Sequence, residues 1–276
     1  MIIADLQLAR RLETNDAHGT ADYARLLARM LPDSGADVLP IADGLAIHTG
    51  TRFPINRVIG LGLHQAVTTA DLKQIERFYR AANLPPSVEV CPLAHPSLID
   101  LLGARGYRPL RFINVSVRAA VQTDLATDDT LPHTTKSLRV APVKAADVWA
   151  QTTGRGFAGC TDLLPPEDPN FVLAQIGFAR PGALCFMVWK GAEPAGGGAL
   201  IVRDGLATLY GASTLPAYRR AGIQRALLTA RIEVAAAQGA ELLMVNTTPG
   251  SQSARNVQRV GFRTAYTKLV MIQDGV

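Results

Sequence analysis

Three arginines and a glycine fall together where an apolar run gives way to a helical pattern. The segment follows Leu206–Thr214 and reads Arg219-Arg220-Ala221-Gly222-Ile223-Gln224-Arg225. A strand that ends in a glycine-bearing turn and opens a helix presents several unpaired backbone N–H groups, and the helix dipole adds positive charge. No Asp or Glu occurs between Asp204 and Glu233. The spacing predicts a polyphosphate site; the alternative is an ordinary helix start with solvated arginines.

The segments around this turn predict the elements that position it. Strand patterns occupy Leu184–Trp189, Gly197–Val202 and Leu206–Thr214, with Arg203-Asp204-Gly205 as a tight turn between the last two. Helical periodicity runs from Gln224 to Gln238, and Leu242–Asn246 follows as a buried strand. The turn therefore joins a strand to the helix that returns to a neighbouring strand.

Part of this pattern occurs twice. A strand, a loop containing proline, a short helix and a long strand run from Val88 to Val117, and the same order runs from Leu242 to Met271. Gly106-Tyr107-Arg108 corresponds in position to Gly261-Phe262-Arg263. One Gly-aromatic pair is only a helix end with a packed ring, but its recurrence in matching order predicts a duplication.

A stretch rich in Thr and Asp, with little apolar periodicity, separates the two copies at residues 121–137. Such a composition is typical of a linker. We therefore expect two domains, at residues 1–120 and 138–276. The alternation of strands and helices predicts an α/β (α+β) fold, in which a mixed sheet has helices on both faces.

Composition limits the class of protein. With 276 residues, 48% of them apolar and 18% charged, the chain can bury a core in each of two domains. The net charge of +5 suggests nucleic acid as one partner, but the basic residues are dispersed and are not interleaved with aromatic side chains. An anionic small ligand explains the charge equally well, and we expect no nucleic-acid partner.

The cysteines and the apolar segments bear on the compartment. Cys91, Cys160 and Cys185 are odd in number, far apart and outside any metal-ligand spacing, which predicts neither a disulfide framework nor a metal site. No segment reaches the roughly 18 uncharged apolar residues of a membrane span. We expect a cytoplasmic protein with no membrane partner.

The residues around the turn resemble those of the GCN5-related N-acetyltransferases (GNAT). That family has Arg/Gln-x-x-Gly-x-Gly/Ala after a Val-x-Pro strand end, with a short helix and Gly-Phe about 40 residues later. The matching residues are Thr214-Leu215-Pro216, Arg219-x-x-Gly222-x-Gln224 and Gly261-Phe262. The resemblance covers Leu138 to Met271 and implies two GNAT-like domains with mostly antiparallel sheets. The first is degenerate, because His64–Ala70 contains neither Arg nor Gly.

The resemblance also implies how acetyl-CoA is held. In the family, the turn and the helix N-terminus hold the pyrophosphate, and the thioester carbonyl accepts a hydrogen bond from backbone at the strand end. By position, the acetyl and pantetheine part falls to Ala212, Ser213 and Thr214, and the far side of the cofactor to Ser251, Ser253 and Asn256. The turn residues expected to hold the pyrophosphate are Arg219, Arg220, Ala221, Gly222, Ile223, Gln224 and Arg225.

The chain departs from the family at positions that matter for catalysis. Gln224 stands where Gly or Ala is usual, and Val257 stands where a tyrosine often acts as the acid. Thr208 and Val245 occupy places where some members carry a glutamate base. Tyr210, on the same strand face as Ala212, is the best polar candidate for a catalytic residue; the alternative for Tyr210 is a half-buried core ring.

Together these patterns predict an enzyme that transfers an acetyl group from acetyl-CoA to a primary amine of a small molecule or peptide, by direct attack of the amine. Asp162, Glu167 and Asp168, in the loop that covers the acceptor in that family, favour a cationic amine. A non-catalytic acyl-CoA sensor or interaction module remains the alternative. Either a monomer or a homodimer is compatible with the sequence.

Overall fold

The computed structural model describes residues 4–121 and 138–274, and it divides into two compact units. The first unit contains the described residues up to Val115, together with Thr247–Pro249 and the chain from Thr264 onward. The second contains the described residues between Ser116 and Asn246, together with Gly250–Arg263. No helix within these described ranges is long and apolar enough to cross a membrane.

Helices and strands alternate along the chain. In chain order they are α1 (Leu6–Met30), β1 (Asp37–Ile41), β2 (Gly44–His48), β3 (Arg57–Ile59), α2 (Thr69–Ala81), β4 (Ser87–Val90), α3 (Ser97–Ala104), β5 (Arg108–Ala119), β6 (Leu138–Pro142), α4 (Ala146–Ala158), α5 (Pro169–Ala179), β7 (Leu184–Lys190), β8 (Glu193–Arg203), β9 (Leu206–Thr214), α6 (Ile223–Ala237), β10 (Leu242–Thr247), α7 (Gln252–Arg259) and β11 (Arg263–Ile272).

Both units have the same local strand arrangement. In the first unit the order is β1-β2-β3-β4-β11-β5, where β1/β2, β2/β3 and β4/β11 are antiparallel and β3/β4 is parallel. In the second unit the order is β10-β9-β8-β7-β6, and only β9/β10 is parallel. A helix, α2 or α6, lies in the chain between the two strands of each parallel pair. The fold class predicted from the sequence is confirmed, and the repeated arrangement agrees with the predicted duplication.

The last strand belongs to the first unit. Residues from Thr264 onward were predicted to lie in the domain at 138–276, but β11 pairs with β4, with Leu269 opposite Val90. This pairing joins residues about 180 positions apart, which no local pattern can report. The predicted linker at 121–137 lies outside the described residues, apart from Val121.

Two local predictions for the first unit differ from the structure. The sequence of Asp5–Leu31 predicts one or two helices, interrupted near Asn15–Gly19, but the structure has one continuous helix, α1. The sequence also predicts a strand over Asn56–Leu63, but β3 is shorter, because Gly60 and Gly62 adopt φ of +88° and +73° directly after it. Extended strand geometry requires negative φ, so the strand ends there.

The first unit buries a group of charges against α1. The ammonium of Lys268 on β11 lies 2.8 Å from a carboxylate oxygen of Asp16, 2.7 Å from Glu89 and 3.2 Å from Glu13. The hydroxyl of Tyr266, also on β11, donates to Glu13 at 2.8 Å. Burial raises the pKa of Glu13 to about 7. These contacts give Tyr266 a structural partner.

Helices pack closely on both faces of β8 in the second unit, and three consecutive glycines make this possible. A Cβ on Gly196 would collide with Ile223 of α6, whereas a Cβ on Gly197 would collide with Thr153 of α4. Successive residues of a strand point to opposite faces, so α4 and α6 lie on opposite sides of the strand. Trp149 of α4 is buried and donates its indole N–H to the carbonyl of Phe186 at 3.2 Å.

Candidate active site

The turn between β9 and α6 leaves the helix N-terminus without a side-chain cap. After a 3₁₀ turn at Pro216–Tyr218, Arg220 and Gly222 adopt φ of +66° and +78°. Gly222 is the N-cap residue of α6, and no side chain accepts a hydrogen bond from the first turn. The N–H groups of the first helical residues have no partner within the helix itself. Left-handed residues next to a helix start form an anion-binding concavity.

A cleft of about 1180 Å³ opens at this turn. Its wall comes from the end of α4, the end of β9, the turn, the first residues of α6 and one face of α7. The residues that line it are Gly156, Phe157, Ala212, Ser213, Thr214, Pro216, Ala217, Tyr218, Arg219, Arg220, Gly222, Ile223, Gln224, Arg225, Gln252, Ser253, Asn256, Arg259 and Val260.

The charge of the cleft has one sign. Arg219, Arg220, Arg225 and Arg259 line it, and no Asp or Glu is among its lining residues, all of which lie in the described part of the chain. Arg219 also reaches α4, where its guanidinium lies 3.4 Å from the carbonyl oxygen of Gly156. The cleft therefore favours a ligand with several negative charges.

The inner end of the cleft contains an irregular stretch of β9. The register between β8 and β9 shifts, so that Gly197 faces Ser213 whereas Ala199 faces Tyr210. Two residues, Gly211 and Ala212, therefore oppose Gly198 alone, and Gly211 has a φ of +60°. A bulge of this kind takes backbone N–H groups out of the ladder and bends the strand.

Side chains fix the strand end on both sides. The Ser213 hydroxyl donates to the carbonyl of Thr153 on α4 at 2.8 Å. Gly156 permits this approach, because a Cβ there would collide with Ser213. On the other side, the amide of Gln224 donates to the Thr214 hydroxyl at 2.9 Å.

Residues 155–262 match the model of the acetyltransferase (GNAT) family. Every residue that lines the cleft lies within this range. The chain contains a GNAT acetyltransferase domain. No curated protein matches the sequence.

Solved structures share the fold along nearly the whole chain. A GCN5-related N-acetyltransferase from Kribbella flavida aligns with a TM-score of 0.64 and 16% identity over 92% of this chain and 96% of its own. One from Sphaerobacter thermophilus aligns with a TM-score of 0.58 and 16% identity over 87% of this chain and 77% of its own. A tandem GNAT protein from the clavulanic acid biosynthesis pathway gives 0.56 and 13% over 94% and 95%. At these identities the likeness concerns the fold alone.

All but two of the residues predicted to contact acetyl-CoA line the cleft of the GNAT domain. The exceptions are Ala221 and Ser251. Ser251 is the N-cap of α7, and its hydroxyl accepts the N–H of Ala254 at 3.1 Å. Its position beside Ser253 explains the prediction, but its hydroxyl serves the helix.

Several residues that line the cleft of the GNAT domain were not predicted from the sequence. Arg259 lies three residues after Asn256 on α7, so the helical spacing contained a signal for it. Phe157 and Gly156 come from α4, more than fifty residues before the turn, and no local pattern indicates that they meet it. Tyr218 lies in the 3₁₀ turn, whose position relative to the cleft depends on the tertiary fold.

Tyr210, the predicted catalytic residue, is not among the residues that line the cleft. Its hydroxyl donates to the carbonyl of Gly177 on α5 at 2.8 Å, and the guanidinium of Arg180 lies 4.3 Å from the centre of its ring. Val257, at the place of the family's usual tyrosine, is buried in the core beneath α7. A catalytic role for Tyr210 stays a prediction.

The acidic loop residues differ in what they do. Asp168 is the N-cap of α5 and accepts the N–H of Asn170 at 2.7 Å, whereas Asp162 and Glu167 are exposed.

Exposed apolar side chains lie in the same part of the chain: Phe157 is 58% exposed and Leu163 is 73% exposed. Large exposed apolar residues near a cleft are typical of a ligand-contacting surface.

The corresponding helix start of the first unit is built differently. Thr68 caps α2 by accepting the N–H of Asp71 at 3.2 Å, and the Asp71 carboxylate accepts the N–H of Thr68 at 2.8 Å. This capping box occupies backbone donors and puts a negative charge at the helix N-terminus. The α2 terminus therefore repels an anion, whereas the α6 terminus attracts one.

Proposed function

We propose that this protein transfers the acetyl group of acetyl-CoA to a primary amine. The observation that carries the proposal is the uncapped, glycine-started N-terminus of α6 inside a cleft lined by four arginines. A pyrophosphate satisfies both features, because its oxygens accept hydrogen bonds from the free N–H groups and its charge meets the guanidinium groups.

The same cleft suits the rest of the cofactor. Its volume of about 1180 Å³ is ample for a nucleotide-sized ligand, and it extends from Arg259 on α7 to Ala212 and Ser213 on β9. With the pyrophosphate at Gly222, the thioester end of acetyl-CoA falls at the β9 bulge. Bound acetyl-CoA supplies an activated acetyl group on a thiolate leaving group.

The protein's contribution to the reaction is orientation and electrostatics. The nitrogen of a neutral amine forms a bond to the thioester carbon, the carbon–sulfur bond breaks, and the nitrogen gives up one proton. Backbone N–H groups freed by the bulge at Gly211 and Ala212 are suited to stabilise the developing oxyanion. No carboxylate, histidine or cysteine is among the cleft-lining residues, so we propose that water carries the proton away.

We further propose a cationic amine with an apolar portion as the acceptor. Asp162 and Glu167 remain exposed, whereas Asp168 is engaged as a helix cap. Phe157 lines the cleft and is more than half exposed, which offers an apolar surface next to the reacting end. Attraction of a positive acceptor would weaken as salt screens the exposed carboxylates.

A second candidate function is acyl-CoA sensing without turnover. It is favoured by the lack of a carboxylate, histidine or cysteine among the lining residues and by the burial of Val257. It shares the cofactor site with the enzyme, so binding alone does not separate the two.

Titration calorimetry with acetyl-CoA, followed by a screen of amines for release of free CoA thiol, tests both candidates. Binding with thiol release for at least one polyamine, amino sugar or aryl-alkyl amine supports the transferase. Binding without release across the screen favours the sensor. No measurable heat at about 1 mM acetyl-CoA would exclude both.

A further inference from the structure

Arg231 of α6 is among the largest fully buried side chains, with 1% of its surface exposed. Its acceptors are backbone carbonyls: Nε lies 3.0 Å from the oxygen of Leu227, one helical turn earlier. Its Nη1 lies 3.1 Å from the oxygen of Ala199 on β8 and 3.4 Å from that of Tyr210 on β9. One guanidinium thus joins the helix to both strands.

The two strand carbonyls belong to the pair that borders the bulge. Ala199 faces Tyr210, and the next residues along β9 are Gly211 and Ala212, which together oppose Gly198. Ala212 then leads into the stretch of β9 that lines the cleft. Arg231 therefore binds the Ala199–Tyr210 pair, which is the pair at which the bulge begins.

Gly198 lies against the guanidinium of Arg231 and leaves no room for a larger residue. A Cβ at Gly198 would lie 3.1 Å from Cζ and Nη1 of Arg231 and 3.2 Å from the Cβ of Ala212. These distances are tighter than ordinary side-chain contacts, so any larger residue would displace the guanidinium or the bulge.

Burying the charged side chain of Arg231 costs free energy, because the core around it is apolar. Leu227, Leu228 and Ile232 pack around the same part of α6. Burial lowers the pKa of Arg231 to about 10, so the side chain keeps its charge at neutral pH in apolar surroundings. An aliphatic side chain would fill the space without that cost, so core packing does not account for an arginine here.

We propose that Arg231 is a positioning residue, which holds the β9 bulge so that the backbone at Gly211 and Ala212 meets the acyl carbonyl of the bound thioester. The inference rests on the proposed function for the identity of the ligand. The pinning of the bulge itself rests only on the contacts of Arg231.

Two variants and one matched control test the assignment in the full-length protein. Arg231→Met removes the donors, and Gly198→Ala keeps Arg231 but crowds its guanidinium. Arg118→Met is the control, because Arg118 of β5 is also a buried arginine that donates to backbone carbonyls, those of Ala119 and Ala120. It makes none of the contacts described for the bulge.

Hydrogen exchange at residues 206–214 measures the bulge without any ligand. Both variants should raise exchange there about tenfold over wild type, whereas the Arg118 control should leave it unchanged. With ¹³C-labelled acetyl-CoA, the infrared band of the bound thioester carbonyl should move toward its value in water in both variants. The affinity for CoA without the acetyl group should change less than about threefold, because the α6 turn is untouched.

Exchange and carbonyl band unchanged in both variants would overturn the inference. If Arg231→Met unfolds the second unit, Gly198→Ala decides by the same two readings. If wild type binds no acetyl-CoA, the proposed function fails, while the exchange measurement still decides whether Arg231 holds the bulge.

Discussion

The side-chain amide of Gln224 donates a hydrogen bond to the hydroxyl of Thr214, with 2.9 Å between nitrogen and oxygen. Gln224 occupies a position where the GNAT pattern has a small residue, and its side chain turns back onto the end of β9. The larger side chain of Gln224 is therefore held by the end of β9. The backbone N–H of Gln224 remains in the first turn of α6.

Replacing Gln224 should separate the effects of size and charge. Gln224→Ala should change the dissociation constant for acetyl-CoA by less than about threefold, because only a neutral hydrogen bond is lost. Gln224→Glu should weaken binding at least about tenfold, because it puts a carboxylate beside the pyrophosphate. Titration calorimetry measures both, and equal affinities for the two variants would show that the phosphates lie elsewhere.

Gly222→Asp should remove acetyl-CoA binding while the fold survives. The new carboxylate would project into the cleft at the N-cap of α6, and a loss of about 3 kcal/mol or more is expected. Gly239→Asp is the matched control, because Gly239 has a φ of +77°, close to the +78° of Gly222, but lies beyond the other end of the helix with open space around it. Normal binding by Gly222→Asp, or equal losses in both variants, would contradict the placement.

One acetyl-CoA should bind per chain. The N-terminus of α2 is closed by the Thr68–Asp71 capping box, so it offers neither the free donors nor the positive charge found at the N-terminus of α6. Calorimetric stoichiometry near one, with no residual binding in Gly222→Asp, is the expected result. A second site that survives this substitution would show that the first unit also holds the cofactor.

Tyr210→Phe should slow turnover about tenfold or less. The Tyr210 hydroxyl is bound to the carbonyl of Gly177, so its removal costs a structural hydrogen bond but no positioned acid. Tyr218→Phe is a useful comparison, because Tyr218 does line the cleft. Steady-state rates with the best amine from the screen provide the measurement, and a thousandfold loss in Tyr210→Phe at unchanged acetyl-CoA affinity would identify it as the acid.

Glu13 should make the first unit less stable as pH rises. In the folded protein burial raises its pKa from 4.5 to about 7, so the folded state holds a proton that the unfolded chain releases. This contribution is complete below about pH 4.5 and is lost as pH rises through about 7. Relative to Glu13→Gln, wild type should lose on the order of 3 kcal/mol between about pH 4.5 and pH 8.

Denaturant melts across that pH range measure the effect. Glu233→Gln, a change at an exposed position of α6, should leave the wild-type pH dependence intact. Parallel curves for wild type and Glu13→Gln would show that Glu13 stays ionised throughout, held by Lys268.

The turn between β9 and α6 could be predicted because its residues are adjacent in the chain. The end of β9, Gly222 and the start of α6 follow one another in the chain, so the free N–H groups and the arginines are set by local backbone geometry. The Thr68–Asp71 capping box spans four residues, so the closed N-terminus of α2 can likewise be predicted from the sequence. Both depend on bonds between near neighbours, which a local pattern encodes.

Long-range packing decided the rest. β11 pairs with β4 across about 180 residues, Phe157 reaches the cleft from α4, and Arg231 meets the bulge through carbonyls of two separate strands. Every residue has a backbone carbonyl, so the sequence does not show which carbonyls an arginine binds. Arg231 therefore looks in the sequence like any other residue on a helix surface. Its burial and its role depend on which strands the sheet brings beneath α6.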